Sequence, residues 1–84
     1  MNIVFTLNGW EDFTYWQGTD KKMIRKINEL IRDTLRHTFE GIGKPEPLKG
    51  NLSGWWSRRI TQEHRLVYKV ENDQLIINQC RKHY

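Results

Sequence analysis

Apolar and polar positions alternate at the start of the chain. Ile3, Phe5 and Leu7 fall on one side of residues 2–7, the period-two pattern of a short strand. Asn8 stands three residues before Glu11, the spacing of a capping box. Behind it Trp10, Phe13 and Trp16 recur every three residues and predict a first short helix. Gly18-Thr19-Asp20 breaks that helix and offers Thr19 or Asp20 as the cap of a second. In the second, Met23/Ile24, Ile27, Leu30/Ile31 and Leu35 form a stripe of period 3.6, opposite Lys21, Lys22, Arg25, Lys26, Glu29, Arg32 and Asp33. The stripe predicts an end near Arg36.

The pattern then lapses. Residues 37–54 hold four Gly and two Pro, which exclude a long helix or a central strand. Structureless loops of this length are uncommon in compact domains and tend to be functional. Three strand-like runs follow, Trp55–Thr61, Arg65–Glu71 and Gln74–Cys80, separated by breaks of hairpin length at 62–64 and 72–73. The expected fold is α+β: two N-terminal helices packed on a mainly antiparallel four-stranded sheet.

Composition narrows this further. A chain of 84 residues is one domain, 1–84, with a small core in which each large apolar side chain counts. Aromatic content of 12% with four Trp excludes a disordered chain. No apolar run is long enough to span a membrane, and MNIVFTLNGWED does not resemble a signal peptide. The single cysteine, Cys80, excludes a disulfide scaffold and a Cys-based zinc site, and suits a reducing cytoplasm. No cofactor motif or metal-ligand spacing is present, so none is expected.

The net charge of +4 is unevenly placed. Residues 1–42 carry six bases and six acids, whereas residues 43–84 carry eight bases and four acids. A basic half suits a polyanionic partner or a solvated face equally well. It contains Lys44, Lys49, Arg58, Arg59, Arg65 and a terminal Arg81-Lys82-His83-Tyr84, with Glu46 the sole acid of residues 41–62. Pro45 and Pro47 restrict where Glu46 points. One reading is a surface Glu paired with Lys44 or Lys49, a contact of little energetic weight. RNA cleavage gives the same residues a joint purpose. A carboxylate can take the 2′-hydroxyl proton, an imidazole can protonate the leaving 5′-oxygen, and guanidinium can bind the charge that builds on phosphorus.

The run GKPEPLKGNLSGWWSRRITQEHRLVY, the terminal His-Tyr and the segments WEDFTYW and INELIRDT resemble the YoeB-type toxins of the RelE/ParE superfamily over essentially the whole chain. The resemblance implies a RelE-like fold and a ribosome-dependent mRNA endoribonuclease. It implies a homodimer, a YefM-like antitoxin with a flexible acidic segment, the 70S ribosome and mRNA as partners, and operator DNA reached only through the antitoxin. By motif, Glu46 matches the general base, Arg65 the phosphate-stabilising residue, His83 the acid and Tyr84 its positioning partner. Lys49 and Arg59 match basic positions along the RNA, and Lys44 joins them as a neighbouring cation. Lys82 departs from the family, where an aromatic residue is expected.

Two other readings stand beside this one. A ParE-like toxin would poison gyrase by binding, without the Glu/Arg/His set. A co-repressor module would use its basic face on DNA, although no helix-turn-helix is apparent. Among the remaining residues, Tyr68 and Cys80 are expected in the core, one of Trp55 and Trp56 is expected to be exposed, and Trp10, Phe13 and Trp16 to be core or dimer surface. His37 and His64 are read as ordinary surface groups. Arg58 is expected to point opposite Arg59, toward solvent or an antitoxin.

Overall fold

A computed structural model describes all 84 residues. Strand β1 (Asn2–Phe5) is followed by helices α1 (Leu7–Thr19) and α2 (Lys21–Arg36). A two-residue strand β2 (Glu46–Pro47) and a 3₁₀ turn (Gly50–Leu52) precede the meander β3 (Trp56–Arg59), β4 (Arg65–Glu71) and β5 (Gln74–Gln79). The sheet has five strands in the order β1-β5-β4-β3-β2, one more than expected. β1 runs parallel to β5 and every other pair is antiparallel, so the α+β class holds. The extra strand lies inside the Gly- and Pro-rich loop. Its Pro47 sits on a sheet edge, where the missing N–H costs no ladder bond.

The first helix starts two residues earlier than the Asn8–Glu11 spacing predicts. Thr6 is its cap: the side chain accepts from Gly9 N at 3.1 Å and donates to Asn78 Oδ1 at 2.8 Å. Leu7 therefore leaves the strand pattern as the first helical residue and is 74% exposed. Asn8 instead donates to Asn78 O at 2.7 Å. Gly9 lets α1 lie against β5, because a Cβ there would meet Ile77 O at 2.4 Å. Asp20 closes α1 and opens α2, accepting from Lys22 N at 3.0 Å.

α2 ends at Arg36, as its stripe predicts, and buries Met23, Ile27, Leu30 and Ile31. Leu35 is exposed, and Thr34 takes the buried position in its place by donating back to Leu30 O at 2.7 Å. Both helices supply the core on one side of the sheet. Trp16, Ile27, Leu30 and Ile31 pack with Ile60, Leu66, Tyr68, Leu75, Ile77 and Cys80. No helix is long and apolar enough to cross a membrane.

Arg58 corrects the expectation drawn from its parity. It does point opposite Arg59, but toward the helices, and it is fully buried. Its Nη1 donates to Asp33 Oδ2 at 2.6 Å and to Ile42 O at 3.1 Å, and Nη2 donates to Glu40 O at 2.8 Å and to His37 O. Nε donates to the Tyr68 hydroxyl at 3.3 Å, which itself donates to Thr38 O at 2.7 Å. One guanidinium thus binds residues 37–42 to α2 and the sheet, and fixes the base of the loop that leads to Glu46. The Arg58 hydrogen bond, and then the Ile42 N–H, hold the Asp33 carboxyl below its ordinary value of 3.8. Burial pushes the Tyr68 hydroxyl up, keeping it a donor.

Candidate active site

Directly opposed residues of neighbouring strands share a face. The register Glu46↔Ser57, Ser57↔Val67 and Arg59↔Arg65 therefore puts Glu46, Ser57, Arg59 and Arg65 on the side of the sheet turned away from the helices. Glu46 and Arg65 lie on β2 and β4, two strand spacings or about 10 Å apart across the sheet. No direct contact joins Glu46 to Arg65, whose guanidinium is held at the 61–64 turn.

The C-terminal tail returns onto this face through a series of backbone anchors. Trp16 Nε1 donates to Cys80 O at 2.8 Å, and Asp12 Oδ2 accepts from Cys80 N at 3.1 Å. The Arg81 guanidinium lies 3.8 Å from the Tyr15 ring centre. Lys82 adopts a left-handed φ of 65°, which turns the chain. Its N–H donates to His64 Nδ1 at 2.7 Å, and its carbonyl accepts from Arg65 N at 3.0 Å. Gln79 Nε2 donates to Arg81 O at 3.1 Å and to Lys82 O at 3.2 Å. The last residue then reaches the loop strand: Tyr84 Oη donates to Glu46 Oε1 at 3.1 Å and lies 3.3 Å from Ser57 Oγ.

The Arg65 guanidinium is held from one edge. Nη1 donates to Thr61 O at 2.8 Å, Gln62 O at 2.9 Å and His64 O at 3.2 Å, whereas Nε and Nη2 have no protein partner. Three carbonyls thus fix the side chain and leave one edge free for an anion. Arg59 is exposed, and its N–H donates to Gly43 O at 2.6 Å. Lys44 and Lys49 are exposed at either end of β2 with no ion pair.

Glu46 and Tyr84 touch, and Arg65 touches the tail through its backbone. His83 is exposed and makes no hydrogen bond to Glu46 or Arg65. Its ring centre lies 4.9 Å from that of Tyr84, and its Nδ1 lies 3.4 Å from Tyr84 O.

Two residues here were not legible as site residues. Ser57, which has no nucleophile context, is buried beneath Tyr84. His64 is no ordinary surface group: it is half-buried, packs edge-on to Trp16 at 4.9 Å and accepts from the tail. The parity of Ser57 with Arg59 was the available signal for the first; nothing local marked the second. Cys80 is buried as expected, and burial pushes its thiol up to about 12. Trp56 packs toward the core against Phe39, while Trp55 lies under Lys69 Nζ at 4.8 Å. No three His, Cys, Asp or Glu side chains converge as metal ligands.

Comparison with known proteins places these features in a family. Residues 5–84 match the model of the YoeB-like toxin of bacterial type II toxin-antitoxin system. Toxin YoeB of Escherichia coli (strain K12) is 62% identical over 84 residues, covering 100% of both chains. The YoeB/ParE toxin from Agrobacterium tumefaciens superposes with a TM-score of 0.97 at 55% identity, covering 100% of both chains. Two Staphylococcus aureus structures are also similar over 100% of this chain and 98% of theirs. One is a heterotetrameric YoeB-YefM toxin-antitoxin complex (52% identity, TM-score 0.92), the other a YoeB dimer (52%, 0.93).

Proposed function

The chain belongs to the YoeB-like toxins of bacterial type II toxin-antitoxin systems, and we propose that it inhibits translation by cutting mRNA in the decoding site of the 70S ribosome. The observation that carries this reading is the hydrogen bond from the last residue, Tyr84, to Glu46, on the sheet face that also holds Arg65. Glu46 takes the proton of the ribose 2′-hydroxyl, and the freed oxygen attacks phosphorus. The unpartnered edge of Arg65 receives the charge gathering on the phosphorane oxygens, with Arg59, Lys49 and Lys44 along the RNA backbone. His83 gives a proton to the departing 5′-oxygen, and Tyr84 orients substrate or acid. The products are a 2′,3′-cyclic phosphate, which opens to a 3′-phosphate, and a 5′-hydroxyl end. Each proton transfer contributes about 10²–10⁴-fold.

The open site supports the ribosome dependence that the family resemblance implies. The two concavities of the molecule lie elsewhere, so little here orients a free strand. Orientation alone is worth roughly 7–11 kcal/mol. The ribosome supplies it by presenting the mRNA in one pose. We assign two further partners by kinship: a YefM-like antitoxin whose acidic segment neutralises this face, and a second copy of the chain.

The test compares cleavage of one mRNA free and on programmed ribosomes at nanomolar protein. Cutting confined to the ribosome supports the reading, and equal cutting of free RNA contradicts its ribosome dependence. Inhibition of gyrase supercoiling that survives Glu46→Ala would replace it with the ParE-like alternative.

A further inference from the structure

All six bases of residues 1–42 lie on one helix: Lys21, Lys22, Arg25, Lys26, Arg32 and Arg36 of α2. None is in an ion pair. Of the two acids on α2, Asp33 is tied to Arg58, which leaves Glu29 as the single free carboxylate. The half of the chain that is neutral in sum is therefore polar in space, with a cationic α2. This helix packs on the core side of the sheet, so its solvent face looks away from the Glu46–Tyr84 face. Between α2 and the loop at Ile42 lies a concavity of about 570 Å³. Arg25, Arg32 and Arg36 line it together with Asn28, Glu29 and Asp33, and Ile42 is its single apolar wall residue.

We propose that this α2 groove grips the phosphate backbone of the structured RNA that surrounds the substrate, a second contact on the side opposite the reacting bond. The proposal rests on the reading of the chain as a ribosome-dependent nuclease and names a further surface for that partner. Three observations select the occupant. The free cations in the groove are all arginines, whose planar forks match phosphate oxygens two at a time. Residues 25, 32 and 36 span about 16 Å along the helix, which suits an extended polyanion better than one small anion. The groove also lacks the apolar wall that anchors a protein partner. The molecule's other concavity, lined by Ile3, Phe5, Phe13, Ile31 and Leu35, has that wall and little charge.

The test is ribosome association of the full chain in 50–200 mM salt, for wild type and for the triple variant Arg25→Gln, Arg32→Gln, Arg36→Gln. Loss of three phosphate contacts lowers the slope of log affinity against log salt by about 2 to 2.7. In cleavage, KM rises and the saturated rate stays unchanged. A second triple variant, Lys21→Gln, Lys22→Gln, Lys26→Gln, removes the same charge outside the groove and lowers the slope by less than half as much. An unchanged slope, an equal fall in both variants, or a loss confined to antitoxin binding would overturn the proposal. Wild type that binds ribosomes yet cuts nothing sinks the nuclease reading instead, and the slopes still decide the groove.

Discussion

The backbone N–H of Lys82 donates to Nδ1 of His64 across 2.7 Å, and this bond sets the path of the last two residues. Because the backbone is the donor, Nδ1 has to offer a lone pair. The His64 ring does not touch Glu46, and its carbonyl accepts from Arg65 Nη1 at 3.2 Å, so it acts as a positioning residue for both the tail and Arg65.

Replacing His64 separates that role from general stability. His64→Ala removes the acceptor, and His64→Asn restores one at the same distance from the backbone. We expect the saturated cleavage rate to fall by on the order of 10–100-fold in His64→Ala, the cost of roughly 1 Å misplacement, with KM little changed. His64→Asn recovers most of it. Amide exchange at Lys82, followed by NMR, speeds up in the Ala variant alone. Equal losses in both variants would reduce His64 to a packing residue against Trp16.

Arg58 carries structure and not chemistry. Arg58→Met leaves the carbonyls of His37, Glu40 and Ile42 without their donor, at roughly 1–3 kcal/mol for each acceptor that stays buried. Denaturant unfolding should show a loss of about 3 kcal/mol or more. Arg59→Met, on the exposed side, should stay within about 0.5 kcal/mol. Equal effects would contradict the burial of Arg58.

Two carboxylates respond to pH in opposite senses. Asp33 lies below its ordinary 3.8, so the unfolded chain binds its proton more readily; the stability it supplies is present above that value and is lost as pH falls through the folded value. Asp12 is raised, chiefly by burial, with the Cys80 N–H working against it. The folded chain holds its proton more readily, so stability declines as pH climbs from 3.8 through the raised value. Unfolding series from pH 2 to 7 should therefore find Asp33→Asn flatter on acidification. Asp12→Asn should gain on wild type as pH rises. Parallel curves for all three proteins would refute both assignments.

Cys80 reports on the tail from below. It is fully buried and its thiol is pushed up to about 12, so iodoacetamide should leave the native protein unmodified at pH 8 and label it on unfolding. Fast labelling without loss of secondary structure would mean that the Cys80–Asp12–Trp16 anchor opens.

What the sequence disclosed was local. The α2 stripe and the three-strand meander are short-range patterns, and both stand. Thr6 caps α1 with help from Asn78, 72 residues away, so the Asn8–Glu11 spacing was misleading. β2 has two residues and exists through its pairing with β3, which no window could reveal. Strand parity separated Arg58 from Arg59 correctly. Which side was buried depended on α2 and Asp33, and a charge was assigned to solvent by default. The Glu46–Tyr84 contact joins a loop to the chain's end, and motif resemblance named both partners before geometry brought them together.

Acid–base cleavage from this face without a metal would leave its signature on the ends of the cut mRNA. Programmed ribosomes would be treated with wild type, Glu46→Gln and His83→Ala. Glu46→Gln keeps an acceptor for Tyr84 while removing the base. Wild type should leave 2′,3′-cyclic or 3′-phosphate and 5′-hydroxyl ends, and each variant should be slower by about 10²–10⁴-fold with its fold intact. A 5′-phosphate product, or full activity in Glu46→Gln, would contradict it.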